Sequence, residues 1–191
     1  MKQDETTRIL QSYLAGLRVC INEIDQQGIS EVAGMIYQAY LKGNQVFIFG
    51  NGGSALTASH FAHSLFSVSD KPRIKAIRIS DNLGAITSIA NDKNYESIFS
   101  EQLVGQIQKG DIALAMSCSG NSPNVLKALT YARENQAKTI GFTGFDGGRL
   151  GEMVDLCVKI HSLDKGQVED MHLALGHIIS KMLSGMINDR H

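Results

Sequence analysis

Two short segments hold the residue types that could surround an anion. The first, Gly50-Asn51-Gly52-Gly53-Ser54, follows the apolar run Val46 to Phe49 and leads straight into a helical pattern carrying Ala55, Leu56, Ala58 and Phe61. Glycines let the backbone approach a ligand, and the free N–H groups of a helix start attract negative charge. The second, Ser117-Cys118-Ser119-Gly120-Asn121-Ser122-Pro123, follows the run Ile112 to Met116 and precedes a helix with Val125, Leu126, Ala128 and Leu129. Pro123 suits the first helical position and Ser122 the cap. Helix initiation does not require hydroxyls at Ser117 and Ser119 as well. Together with backbone N–H groups, these can surround phosphate oxygens without any lysine. One Gly-rich turn is often only a turn, but two such loops at neighbouring strand ends predict a ligand site.

A dinucleotide is the rival ligand, because Gly50, Gly52 and Ala55 fit the spacing of the dinucleotide fingerprint. Its ribose-binding acid belongs ~20 residues further on. Asp81, the acid that follows the run Ala76 to Ile79, stands about thirty on, and a Ser-rich second loop is superfluous for a dinucleotide. No nucleotide cofactor is expected.

The elements that must position these loops follow from periodicity. Short apolar runs at Val46 to Phe49, Ala76 to Ile79, Ile112 to Met116, Thr139 to Phe142 and Leu156 to Ile160 alternate with helical patterns. That alternation predicts crossover connections and an α/β fold with a doubly wound, five-stranded parallel sheet, whose ligands bind beyond the carboxyl ends of the strands. Ahead of the sheet lies a helical pair. Leu10, Leu14, Leu17, Ile21 and Ile24 form a narrow stripe of coiled-coil type, and Val32, Met35, Ile36 and Ala39 mark a second helix that stops at Lys42-Gly43-Asn44. The narrow stripe predicts that residues 1–43 serve in oligomerisation, in a four-helix arrangement with composite sites. A last amphipathic helix carries Met171, Leu175, Ile178, Ile179, Met182, Leu183 and Met186 on one face. His177 lies well off that stripe, so it faces solvent or another subunit; His172 reads as a packing or capping histidine and His63 as a solvated one.

Composition narrows the function classes. With 43% hydrophobic and 19% charged residues, 191 residues suffice for one domain spanning 1–191. The 18 basic and 19 acidic residues are spread without long runs, so neither nucleic acid nor an anionic membrane is an expected partner. Cys20, Cys118 and Cys157 make an odd set, and no apolar stretch approaches a membrane span. A reducing cytoplasm is expected.

At Gly50-Asn51-Gly52-Gly53-Ser54, Asn91-Asp92, Ser117-Cys118-Ser119-Gly120-Asn121-Ser122 and Thr143-Gly144 with Asp146-Gly147-Gly148, the chain resembles the SIS (sugar isomerase) domain sedoheptulose-7-phosphate isomerases. The resemblance runs over nearly the whole chain. It implies an aldose–ketose isomerase of carbohydrate metabolism and a homotetramer with sites at subunit contacts. It also implies phosphosugar binding by Asn51, Gly52, Gly53, Ser54, Asn91, Asp92, Ser117, Cys118, Ser119 and Ser122.

Two positions depart from that pattern. The isomerases carry a histidine and, four residues later, a glutamate on the helix after the first loop, where this chain has His60 and Ser64. A glutamine opens their last helix, where this chain has Glu169 and retains the following histidine as His177. The resemblance thus implies that His60, Glu169 and His177 occupy metal-ligand positions, with zinc as the ion. Glu169 then supplies the relocated carboxylate and His177 its partner in acid–base catalysis. Eight helical residues rise ~12 Å, so Glu169 and His177 of one regular helix cannot share an ion. Either the helix begins irregularly or two subunits contribute. Ser64 is also similar to the DnaA initiator-associating proteins, which implies an alternative: a non-catalytic phosphosugar-binding regulator that contacts the replication initiator.

Overall fold

The computed structural model describes residues 2–69 and 72–188. The apolar runs become strands β1 (Gln45–Gly50), β2 (Lys75–Arg78), β3 (Ile112–Ser117), β4 (Lys138–Thr143) and β5 (Leu156–Lys159). They form one sheet in the order β2-β1-β3-β4-β5, with every pair parallel. Parallel strands covered on both faces need apolar residues at every position, which is why β1, β3 and β4 read as unbroken runs. β2, at one edge, is short and only half buried.

Eight α-helices among the described residues surround this sheet: α1 (Lys2–Asn22), α2 (Gln26–Lys42), α3 (Gly53–Phe66), α4 (Leu83–Asp92), α5 (Ser100–Leu103), α6 (Pro123–Glu134), α7 (Gly148–Met153) and α8 (Lys165–Asn188). One layer packs Val32 and Ile36 of α2, Phe61 and Leu65 of α3, and Leu175 and Ile179 of α8 against Ile48, Leu114 and Phe142. The opposite layer packs Leu103, Val125, Leu129 and Leu150 against Phe47, Phe49, Ala113 and Ala115. α3 and α6, which follow the adjacent strands β1 and β3, therefore lie on opposite faces. The carboxyl ends of β1 and β3 flank the crevice where doubly wound sheets bind ligands.

Two apolar stripes divide differently from the sequence expectation. Leu17 of α1 and Ile24 just beyond its end turn inward and pack on the core, whereas Leu10, Leu14 and Ile21 are 58%, 45% and 58% exposed. α1 docks along α8 of its own chain, with Tyr13 Oη donating to Asp170 Oδ2 at 2.6 Å and Gln167 Nε2 to the Tyr13 carbonyl at 3.3 Å. Leu17 and Ile24, toward the C-terminal end of the stripe, are taken up by the core, while Leu14 and Ile21 of the other row and Leu10 at the N-terminal end stay outside. In α8 the buried row is Val168, Met171, His172, Leu175, Gly176, Ile179, Leu183 and Ile187, and Ile178, expected among them, is 38% exposed. Among the described residues no helix is long and apolar enough to cross a membrane.

Candidate functional site

β1 ends at Gly50, and the chain turns through Gly52, whose φ of 55° suits a residue without a Cβ, into α3. β3 ends at Ser117 and the chain reaches α6 through Ser122 in extended conformation, with Pro123 in the first turn. Between the two turns lies a cavity of about 200 Å³ lined chiefly by Asn51, Ser54, Ser117, Cys118, Ser119 and Ser122. Ser122 makes no side-chain capping bond; its Oγ turns toward Ser117 Oγ, 3.3 Å away. Ser122 is the N-cap residue of α6, as expected, with its carbonyl accepting the Val125 and Leu126 N–H groups, while its hydroxyl pairs with Ser117 instead of capping the helix. Burial pushes the Cys118 thiol up, so it stays protonated beside Ser54 Oγ at 4.0 Å. A cradle of hydroxyls, one thiol and the positive ends of α3 and α6 is suited to a compact anion such as phosphate.

An amide pair locks the two loops together. Asn124 Nδ2 donates to Asn51 Oδ1 and Asn51 Nδ2 donates to Asn124 Oδ1, both at 2.9 Å. Asn124 is 1% exposed, and its Oδ1 also accepts the Val125 N–H at 2.9 Å. Tyr95 Oη donates to Asn51 Oδ1 at 3.3 Å. The amide of Asn51 is thus fixed in orientation at the cradle wall.

α3 and α8 run side by side in the same direction. At their shared start the Glu169 carboxylate lies over the bare Cα of Gly53, where a Cβ would fall 2.5 Å from Glu169 Oε2. Lys165 Nζ stands 3.8 Å from Glu169 Oε1 and lines the cradle. Two turns further along, His60 Nε2 and His177 Nε2 approach to 2.7 Å with their rings edge to face. Both histidines are exposed, so the position of His177 off the buried stripe is observed. Ser64 Oγ donates to the His60 carbonyl at 3.1 Å.

α8 is regular from Lys165, which removes the irregular-start alternative for Glu169 and His177. Two neutral imidazoles suit zinc as two of its ligands. Their 2.7 Å separation is a hydrogen-bond distance, with one ring donating and the other accepting. Among the described residues no three His, Cys, Asp or Glu side chains are grouped to hold a metal. Within one chain, His60, Glu169 and His177 therefore do not complete a zinc site.

The remaining candidates lie apart or are used otherwise. Asn91 and Asp92 end α4, exposed, with Asn91 Nδ2 donating to Asp92 Oδ1 at 2.9 Å and Ser88 Oγ to Asp92 Oδ2 at 3.2 Å. Asp81 accepts from Ser59 Oγ at 2.7 Å and pairs with Arg78 at 3.4 Å. His63 is exposed. His172 is fully buried, shares a hydrogen bond of 3.1 Å with the Thr143 carbonyl, and has its pKa lowered to about 4 by burial. Two residues of the site escape the sequence reading: Lys165, which resembles any surface lysine, and Asn124, which resembles any polar residue in a first helical turn.

Residues 12–144 match the SIS domain. The chain is 37% identical to a phosphoheptose isomerase of Rhodospirillum rubrum over 163 residues, covering 84% of this chain and 85% of the other. It is 34% identical to a phosphoheptose isomerase of Aquifex aeolicus over 178 residues, covering 92% and 93%. The solved structure of a phosphoheptose isomerase from Francisella tularensis superposes with a TM-score of 0.89 at 24% identity, over 96% of this chain and 98% of that one. These structures share the fold.

Proposed function

The chain belongs to the SIS-domain family, among the phosphoheptose isomerases, and we propose that it interconverts sedoheptulose 7-phosphate and an aldoheptose 7-phosphate. The observation that carries this reading is a carboxylate, Glu169, held at the rim of an anion cradle and followed along the same helix by the paired imidazoles of His177 and His60. The cradle is matched to the phosphate. An extended seven-carbon chain spans about 7 Å from C7 to C1, and the α8 backbone rises about 12 Å from Glu169 to His177. Within one chain that separation is too great for both groups to reach the same two carbons, so in the composite site expected at a subunit contact Glu169 and His177 acting on one sugar come from neighbouring copies.

The aldose–ketose shift moves one proton between adjacent carbons and one between their oxygens. In the aldose direction Glu169 removes the proton from C1 of the ketose while the carbonyl oxygen O2 gains one, giving an enediol. Glu169 returns the proton to C2, and O1 loses its proton to become the aldehyde. His177, with His60 able to accept or donate behind it, serves the oxygens. If His60 and His177 held zinc, with a carboxylate from a neighbouring copy, the ion would supply the polarisation of those oxygens in place of the imidazole protons; the proton transfers described use the chain's own side chains.

The same neighbouring copy is proposed to cover Leu10, Leu14 and Ile21, making a homotetramer. The relatives, named as isomerases, do not favour a non-catalytic regulator bound to the replication initiator. Glu169→Gln and His177→Gln test the assignment: each should lower kcat at least 100-fold while leaving inorganic phosphate bound at the cradle. Undiminished turnover in Glu169→Gln would remove the carboxylate from the mechanism.

A further inference from the structure

Lys165 stands where helix electrostatics do not favour it. It is the first residue of α8, and a cation at a helix N-terminus faces the positive end of the dipole. Its partner Glu169 lies four residues later, the less favourable order for a pair of opposite charges on a helix. Asp164, the neighbouring acid, is occupied with the helix start, accepting the Gly166 N–H at 2.8 Å and the Gln167 N–H at 3.2 Å. Stabilisation of α8 therefore does not account for the placement.

The cradle does. Among the residues that line it, Lys165 supplies the one side-chain cation. Glu169 lies at the same rim, and both charges act on the Cys118 thiol at the cradle floor. A phosphate dianion bound there would be repelled by the nearby Glu169 carboxylate, and Lys165, which lines the cavity and stands 3.8 Å from Glu169 Oε1, is the cation placed to offset that repulsion. We propose that Lys165 is a substrate-binding residue whose ammonium stands between the phosphate of the sugar and the carboxylate of Glu169, so that both anions are held in one site. This rests on the phosphosugar reading of the cradle. It assigns to this chain a preference for a dianionic phosphate over a neutral sugar.

Inorganic phosphate is the probe, titrated by calorimetry against the full chain at low and high ionic strength, with turnover of sedoheptulose 7-phosphate assayed separately. Lys165→Met should weaken phosphate binding about tenfold at low salt, and the gap should shrink in 1 M salt. Lys165→Arg should restore most of the affinity. Glu169→Gln should tighten phosphate binding more in the Lys165→Met background than in the wild type, because only there is the repulsion unshielded. Lys165 is exposed, and an unchanged melting temperature confirms that the variant folds. If Lys165→Met binds phosphate within twofold of wild type at low salt, the proposal is overturned whatever the turnover. If phosphate binding depends on Lys165 and no isomerisation is seen, the isomerase reading fails alone. A wild type that binds no phosphate overturns both.

Discussion

Asn124→Ala tests whether the two loops act as one cradle. The substitution deletes both 2.9 Å bonds of the reciprocal amide pair. The Val125 N–H keeps its 3.1 Å bond to the Ser122 carbonyl, so it is not stranded. Two amide bonds at about 1 kcal/mol each, with some relief as the half-buried Asn51 meets water, give a loss of about 2 kcal/mol. For a domain of this size that lowers the melting temperature by about 4–8 °C. Asn51 becomes free to rotate at the cradle wall, so phosphate affinity and KM for the sugar phosphate should deteriorate more than kcat. Thermal denaturation followed by circular dichroism gives the first quantity and calorimetric titration of phosphate the second. Adding Asn51→Ala to the variant should cost much less than it costs in the wild type, since neighbours sharing one network are not additive. A melting temperature within 1 °C of wild type with unchanged phosphate affinity would refute the coupling.

Two further outcomes follow from burial. The His172 imidazole takes a proton near 6.5 when unfolded but only near 4 in the fold. Between those values the unfolded chain binds more protons, so stability falls as pH drops through that window, by about 3 kcal/mol, and is unaffected by this group above it. His172→Gln should flatten that slope in urea denaturation at graded pH, and an equal slope in both proteins would contradict the assignment. The double variant Leu10→Asp with Leu14→Asp should dissociate the assembly in sedimentation velocity without lowering helix content, because neither side chain is buried in its own chain; a wild-type monomer would contradict the proposed interface.

How much of this was legible depended on the range of the interactions. β1, β3 and β4 announce themselves because burial on both faces requires apolar residues throughout, and the glycine and serine loops follow because they sit where those runs stop. The stripe from Leu10 to Ile24 is legible as a stripe, but not which of its members are buried: only packing against the rest of the chain, with α8 docked beside Tyr13, decides that Leu17 and Ile24 turn inward while Leu10, Leu14 and Ile21 stay exposed. Ser122 has the residue type and position of a cap, and local rules cannot anticipate that its hydroxyl meets Ser117 instead. Asn124 and Lys165 carry no local signal. The partner of Asn124 lies 73 residues away in sequence, and Lys165 reaches the cradle only because β5 returns the chain to the start of α8. The resemblance to isomerases named His60, Glu169 and His177; the parallel run of α3 and α8 pairs the histidines and sets the glutamate at the other end.

The most direct test of the isomerase reading is incubation of the purified chain with sedoheptulose 7-phosphate, with zinc added and with zinc chelated, following the aldose product by a coupled assay or by NMR. The account predicts aldoheptose 7-phosphate formed at a rate that falls sharply in Glu169→Gln. No turnover by the wild type in either condition would contradict it.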